Sequence, residues 1–96
     1  MKMLMIVFNE AIGEEVMETL RNCRLKNYTR IDKVAGMGAS SGAHMGNDIW
    51  PGLNNILLLA VRDQDAAQLL KCVGALRGSL GREGIKAFVW NLEEVT

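Results

Sequence analysis

The chain has 96 residues, with 11 Lys and Arg against 11 Asp and Glu and a formal net charge of zero. That balance excludes the basic excess needed to bind nucleic acid or an anionic membrane surface. At 49% hydrophobic and 23% charged the composition is that of a folded chain, read as one domain over residues 1–96. The longest apolar runs, residues 3–8 and 56–61, are far shorter than the roughly 20 residues of a bilayer span. The first run lacks the small-residue cleavage site of an export signal, so no direct membrane insertion is expected.

Residues 3–8 (MLMIVF) read as a strand buried on both faces and closed by Asn9. A helix follows, with Ile12, Val16, Leu20 and Cys23 at spacings of four, four and three and Met17 broadening the stripe. Asn9 is its expected N-cap, because the side-chain oxygen can accept from a free first-turn amide. Residues 28–35 (YTRIDKVA) alternate imperfectly and predict a strand with Tyr28, Arg30, Asp32 and Val34 on one side.

Composition then changes abruptly. Residues 36–55 hold five of the ten glycines and the only proline. No periodicity survives there, so a long loop is expected at about 37–54, and loops of that length usually carry function. Residues 56–61 (ILLLAV) predict a second strand apolar on both faces. Asp63 is the expected cap of a second helix with the stripe Ala66, Leu69, Leu70, Val73, Leu76 and Leu80. Gly74 and Gly78 interrupt it, implying an early end or a closely packed neighbour. After Gly81 and Gly84, residues 85–90 (IKAFVW) predict the last strand, with Ala87 and Val89 opposite Ile85, Phe88 and Trp90.

The order β-α-β-β-α-β gives an α+β, ferredoxin-like sandwich: a four-stranded antiparallel sheet with two helices on one face. Two such helices cover one face only, yet two of the strands are apolar on both. The second face therefore calls for another copy of the chain. Cys23 and Cys72 fall in separate helical patterns without CxxC spacing, and are expected to be buried reduced thiols of a cytoplasmic protein.

Several segments, in order, resemble the PII-type signal-transduction (nitrogen regulatory PII-like) superfamily. These are Glu15-Val16-Met17-Glu18-Thr19-Leu20 in the first helix, the strand ending in Gly36-Met37-Gly38-Ala39-Ser40-Ser41-Gly42, the glycine-rich stretch from Gly81 to Val89, and Leu92-Glu93-Glu94-Val95. The resemblance covers nearly the whole chain. It implies a homotrimer with inward-facing sheets, ligand clefts between subunits, and a T-loop that acts on an unidentified regulated protein, a membrane protein being one candidate. It further implies an adenine nucleotide as ligand, with Gly36, Gly38, Ser40, Ser41 and Gly42 on one wall of the cleft. Gly81, Gly84 and Lys86 would form the other, to which Arg82 is added for its charge.

The chain also departs from that pattern. Its sole tyrosine, Tyr28, lies in a strand and not in the loop, Ser40-Ser41 replaces a glutamine-lysine pair, and there is no basic tail before Thr96. From Val34 to Val61 there is no Lys or Arg, so a triphosphate would rest on backbone amides, Arg82 and Lys86.

The pattern Gly36-x-Gly38-x-x-x-Gly42 opens no periodic helix and is neither a Rossmann nor a P-loop signature. It suits a hinge, an amide cradle, or both. His44, Asp48 and Trp50 are the loop's strongly functional side chains, and are read as its partner surface. An alternative reading is a metal-binding protein similar to the CutA family, with His44 as ligand to a divalent metal, although a surface or hydrogen-bonded histidine is the commoner role. A third reading, a small enzyme, lacks an activated nucleophile and an acid–base pair, so no catalytic residue is assigned.

Overall fold

β1 (Lys2–Asn9) is central because every second side chain, Leu4, Ile6 and Phe8, is apolar and fully buried. It pairs antiparallel with β5 (Asn54–Val61) on one side and β6 (Ile85–Asn91) on the other. β2 (Thr29–Val34) pairs antiparallel with β5, which gives the sheet order β2-β5-β1-β6. The computed structural model describes residues 1–38, 42–44, 52–80 and 84–96. The fold is the expected ferredoxin-like α+β arrangement, and no described helix is long and apolar enough to cross a membrane.

α1 (Gly13–Asn22) follows a single 3-10 turn, Glu10–Ile12. Asn9 caps that turn as the sequence predicts, its Oδ1 accepting from the Ala11 amide at 2.8 Å. α1 closes on Arg24, whose φ of 69° is left-handed. The Leu25 amide there donates back to the Leu20 carbonyl at 2.9 Å and the Leu25 side chain is buried, as in a Schellman close. An arginine in place of glycine at that position costs about 1 kcal/mol.

α2 (Asp63–Leu80) runs the full predicted length. Its cap is Arg62, not Asp63: the Ala66 amide donates to the Arg62 carbonyl at 3.0 Å, and Asp63 instead lies 3.3 Å from the Met1 ammonium. Ala66, Leu69, Val73 and Leu76 are buried, whereas Leu70 and Leu80 fall off the edge of the stripe into solvent.

Neither expectation for Gly74 and Gly78 is met, since the helix passes through both and a Cβ at either would meet nothing within 4 Å. Gly74→Ala and Gly78→Ala should therefore each stabilise the protein by up to about 1 kcal/mol. Thermal melts of the single and double variants check this; an additive rise is expected.

The helices pack on one sheet face, where Leu4, Ile6, Phe8, Leu57, Leu59 and Ile85 meet Val16, Leu20, Leu69, Val73 and Leu76. On β6 the facing residues are Ile85, Ala87 and Val89. Ile85 thus sides with Ala87 and Val89, not with Phe88 and Trp90, because strict alternation runs the whole strand.

Cys23 and Cys72 are not reduced thiols: they are joined in a disulfide, with Cα atoms 6.6 Å apart across 49 residues of sequence. Cys23 continues the α1 stripe one turn past Leu20, and Cys72 flanks the α2 stripe between Leu69 and Leu76. Helices laid side by side on one face bring those two flanks together.

Candidate functional site

The four-stranded sheet leaves its second face open. Along it run Met3, Met5 and Val7 of β1, Ile56, Leu58 and Ala60 of β5, Lys86, Phe88 and Trp90 of β6, and Thr29 and Ile31 of β2, by strand register. Phe88 is 41% and Trp90 46% exposed, and Ile31 is exposed as well. A contiguous apolar surface of this kind marks an interaction face, not the ordinary exterior of a monomer. Its one charge among the described residues, Lys86, lies with its ammonium 5.4 Å from the Phe88 ring centroid. This keeps its aliphatic stem on the apolar surface.

Both glycine-rich segments leave the same end of this sheet, at the C-terminal end of β1, and consecutive amides hold their roots. The Asn9 amide donates to the Gly84 carbonyl at 2.8 Å and the Glu10 amide to the Leu53 carbonyl at 2.9 Å. Arg77 of α2 adds a second clamp, donating from a guanidinium nitrogen to the Ile85 carbonyl at 2.6 Å. Since β5 and β6 flank β1 on opposite sides, one chain presents two separate loop roots, one at each flank of the same short turn.

The long-loop side is set by a polar device inside the core edge. Asn55 is only 4% exposed, and its Oδ1 accepts from the Lys33 amide at 3.1 Å. Lys33 has φ 58° and sits in the irregularity between Ile31 and Val34. That bulge breaks the alternation expected for residues 28–35 and turns β2 toward the loop. Asn55→Ala should cost about 0.5–1.5 kcal/mol, the net worth of one hydrogen bond that water can partly replace at the exposed Lys33 amide. Denaturant titration reads the loss, and faster exchange of the Lys33 amide localises it.

Beyond β2 the chain is not the patternless loop that the sequence predicts. β3 (Gly36–Gly38) and β4 (Gly42–His44) form an antiparallel ladder with Gly36 opposite His44 and Gly38 opposite Gly42. Glycines carry no side-chain alternation, so this ladder has no hydrophobic signature. At Gly36 an added Cβ would lie 2.8 Å from Asn54 Nδ2, which ties the hairpin's base to the start of β5.

Of the sequence-predicted ligand residues, Gly36, Gly38 and Gly42 share this hairpin, Gly84 is held by Asn9, and Lys86 lies on the open face. Ser40, Ser41, Gly81 and Arg82, and Asp48 and Trp50 of the expected partner surface, lie outside the described residues. His44 is described through its backbone as the last residue of β4. No group of three or more His, Cys, Asp or Glu able to hold a metal occurs among the described residues.

Sequence reasoning missed Asn55 and Arg77. Asn55 ends the segment 36–55, whose composition alone marks it, and Arg77 is a single charge in the second helix with no motif around it.

Comparison with known proteins agrees with this geometry. No curated protein sequence matches the chain. Among solved structures, it is similar to CPII, a nitrogen regulatory PII-like protein from Thiomonas intermedia K12 bound to ADP, AMP and bicarbonate. That similarity has a TM-score of 0.70 at 22% identity, over 93% of this chain and 82% of that one. It is also similar to the apo form of CPII, with a TM-score of 0.62 at 20% identity over 93% and 85%. A PII-like signaling protein from Thermus thermophilus gives a TM-score of 0.62 at 22% identity over 95% and 85%. The sequence model for nitrogen regulatory protein P-II matches residues 1–96, and the chain therefore belongs to that regulatory family.

Proposed function

We propose that the chain is a homotrimeric regulator that binds a small anionic ligand, an adenine nucleotide, in clefts between subunits and signals to a partner protein through its long loop. The open apolar sheet face carries this reading: it needs a cover, and a second and third copy supply one of matching shape. The two loop roots lie on opposite flanks of β1, so each chain would offer half of two different clefts. One half would be Gly36, Gly38, Ser40, Ser41 and Gly42; the other would be Gly81, Arg82, Gly84 and Lys86 of a neighbour. Two similar PII-like structures, the one described above and a second of the same protein, hold ADP with bicarbonate, which makes ADP the first ligand to test.

Calorimetry with ADP, AMP and ATP on the purified protein tests the ligand. Saturable binding should raise the melting temperature, by about 2.7 kcal/mol of stabilisation at a hundredfold excess over Kd. Arg82→Ala should lose about tenfold in affinity, the weight of one hydrogen bond from a charged donor. Hydrogen exchange should show protection appearing together in residues 36–44 and 81–86. Protection of one segment alone, or of neither with every nucleotide, overturns the shared cleft. Divalent metals in the same assay should give no stabilisation that His44→Ala removes.

A further inference from the structure

At the far end of the helix layer from the loop roots, a groove of about 450 Å³ opens between the end of α1 and the first turns of α2. Its lining includes the Cys23 half of the disulfide but not Cys72, together with Arg24, Arg62, Asn22, Gln64 and Gln68. Two arginines therefore share the lining with one half of the bond. The acid in the same lining, Asp65, faces Arg62 at 3.3 Å, and among the described residues no carboxylate pairs with Arg24. Three side-chain amides complete a surface able to hydrogen-bond a peptide backbone and its carboxylates. The volume falls within the range of small-ligand clefts.

We propose that this groove docks a small anionic peptide thiol of the glutathione class, which opens the Cys23–Cys72 disulfide by attack on Cys23 Sγ. The thiolate sulfur of the ligand forms a bond to Cys23 Sγ as the Cys23–Cys72 bond breaks. Cys72 leaves as a thiolate and takes a proton from water. A second ligand thiol then displaces the first from Cys23, releasing the ligand disulfide and leaving Cys23 reduced. Two electrons pass from two ligand thiols to the protein disulfide, and no other reactant is needed. Regiochemistry follows from access, because only Cys23 lines the groove. Preference among thiols follows from charge, because Arg24 favours a carboxylate in the groove while Arg62 is neutralised by Asp65.

The test uses the oxidised full chain and mixes it with glutathione, 3-mercaptopropionate, 2-mercaptoethanol or cysteamine at matched thiolate concentration. Acid quench, alkylation and mass spectrometry follow the opening. At low salt the two anionic thiols should react on the order of 10-fold faster than cationic cysteamine, with neutral 2-mercaptoethanol between them. That advantage should shrink at high salt and in Arg24→Ala. The transient mixed disulfide should map to Cys23. With glutathione disulfide, the Cys72→Ser variant should accumulate the adduct while Cys23→Ser should not, circular dichroism confirming that both are folded. Equal rates for cationic and anionic thiols, an adduct on Cys72, or no adduct on the Cys72→Ser variant after exposure to glutathione disulfide would each overturn the proposal. The rate order in the wild-type chain stands even if a variant fails to fold.

Discussion

Leu58→Glu should abolish the proposed trimer while leaving the subunit folded, and Leu57→Glu, one residue away, should abolish the fold itself. The two positions share β5 but point to opposite faces. Leu57 is fully buried beneath the helices, whereas Leu58 pairs with Met5 of β1 and Thr29 of β2 on the open face. A carboxylate at Leu57 has no cation within the core and no route to water, so the loss should reach or exceed about 3–5 kcal/mol. That is most of the margin of a chain this size. At Leu58 the carboxylate is solvated in a lone subunit and becomes costly only when copies close over it. Three acids meeting in an apolar interface should then push assembly out of the micromolar range.

Sedimentation velocity on both variants and the wild type, with circular dichroism on each, separates the outcomes. A wild-type monomer at micromolar concentration, or a Leu58→Glu variant that still sediments as a trimer, would remove the open face as the assembly surface. Loss of fold at Leu57 with retention at Leu58 is the signature of a two-faced strand in which only one face belongs to the subunit's own core.

The same strand explains which parts of the structure were legible from the sequence. β1 and β5 could be read because residues 3–8 and 56–61 are apolar at every position, the run expected of a strand with neither face given to solvent. The Asn9 cap and the Ala66–Leu69–Val73–Leu76 stripe could be read because each is a local pattern of side chains. The β3–β4 hairpin could not, because its ladder is made of backbone groups at glycines that display no period. Nor could the bulge at Lys33, where a left-handed residue is held by the buried Asn55 from another strand.

The site shows the same division. The glycine-rich segments stand out in composition, but the junction that anchors them joins backbone groups of Asn9, Glu10, Leu53 and Gly84. Such contacts have no residue preference to detect. The disulfide was hidden for a different reason: two cysteines 49 residues apart meet only once both helices have been placed on the sheet.

Reducing that disulfide should lower the stability of the chain more than any surface substitution. Cys23 and Cys72 close a loop that contains β2, the hairpin and all of β5. In the unfolded chain the bond denies that stretch much of its freedom, an effect of about 4 kcal/mol by the loop-entropy estimate for a closure of this length. Thermal midpoints of a domain of this size move about 4–8 °C per kcal/mol. The reduced protein should therefore melt roughly 15–30 °C below the oxidised one, at fixed protein concentration so that assembly does not confound the comparison. The double variant Cys23→Ala/Cys72→Ala should match the reduced wild type and show no further response to reductant. A native-state contribution would appear in exchange rates: the turn after α1 holds Arg24 and Asn27 at left-handed φ values of 69° and 48°. With Cys23 released, amides from 23 to 28 should lose protection before those of the Leu4–Phe8 core. A shift of only a few degrees on reduction, with unchanged exchange in that turn, would mean that packing of Leu20, Leu25 and Leu69 already fixes the helices and that the bond adds little to the fold.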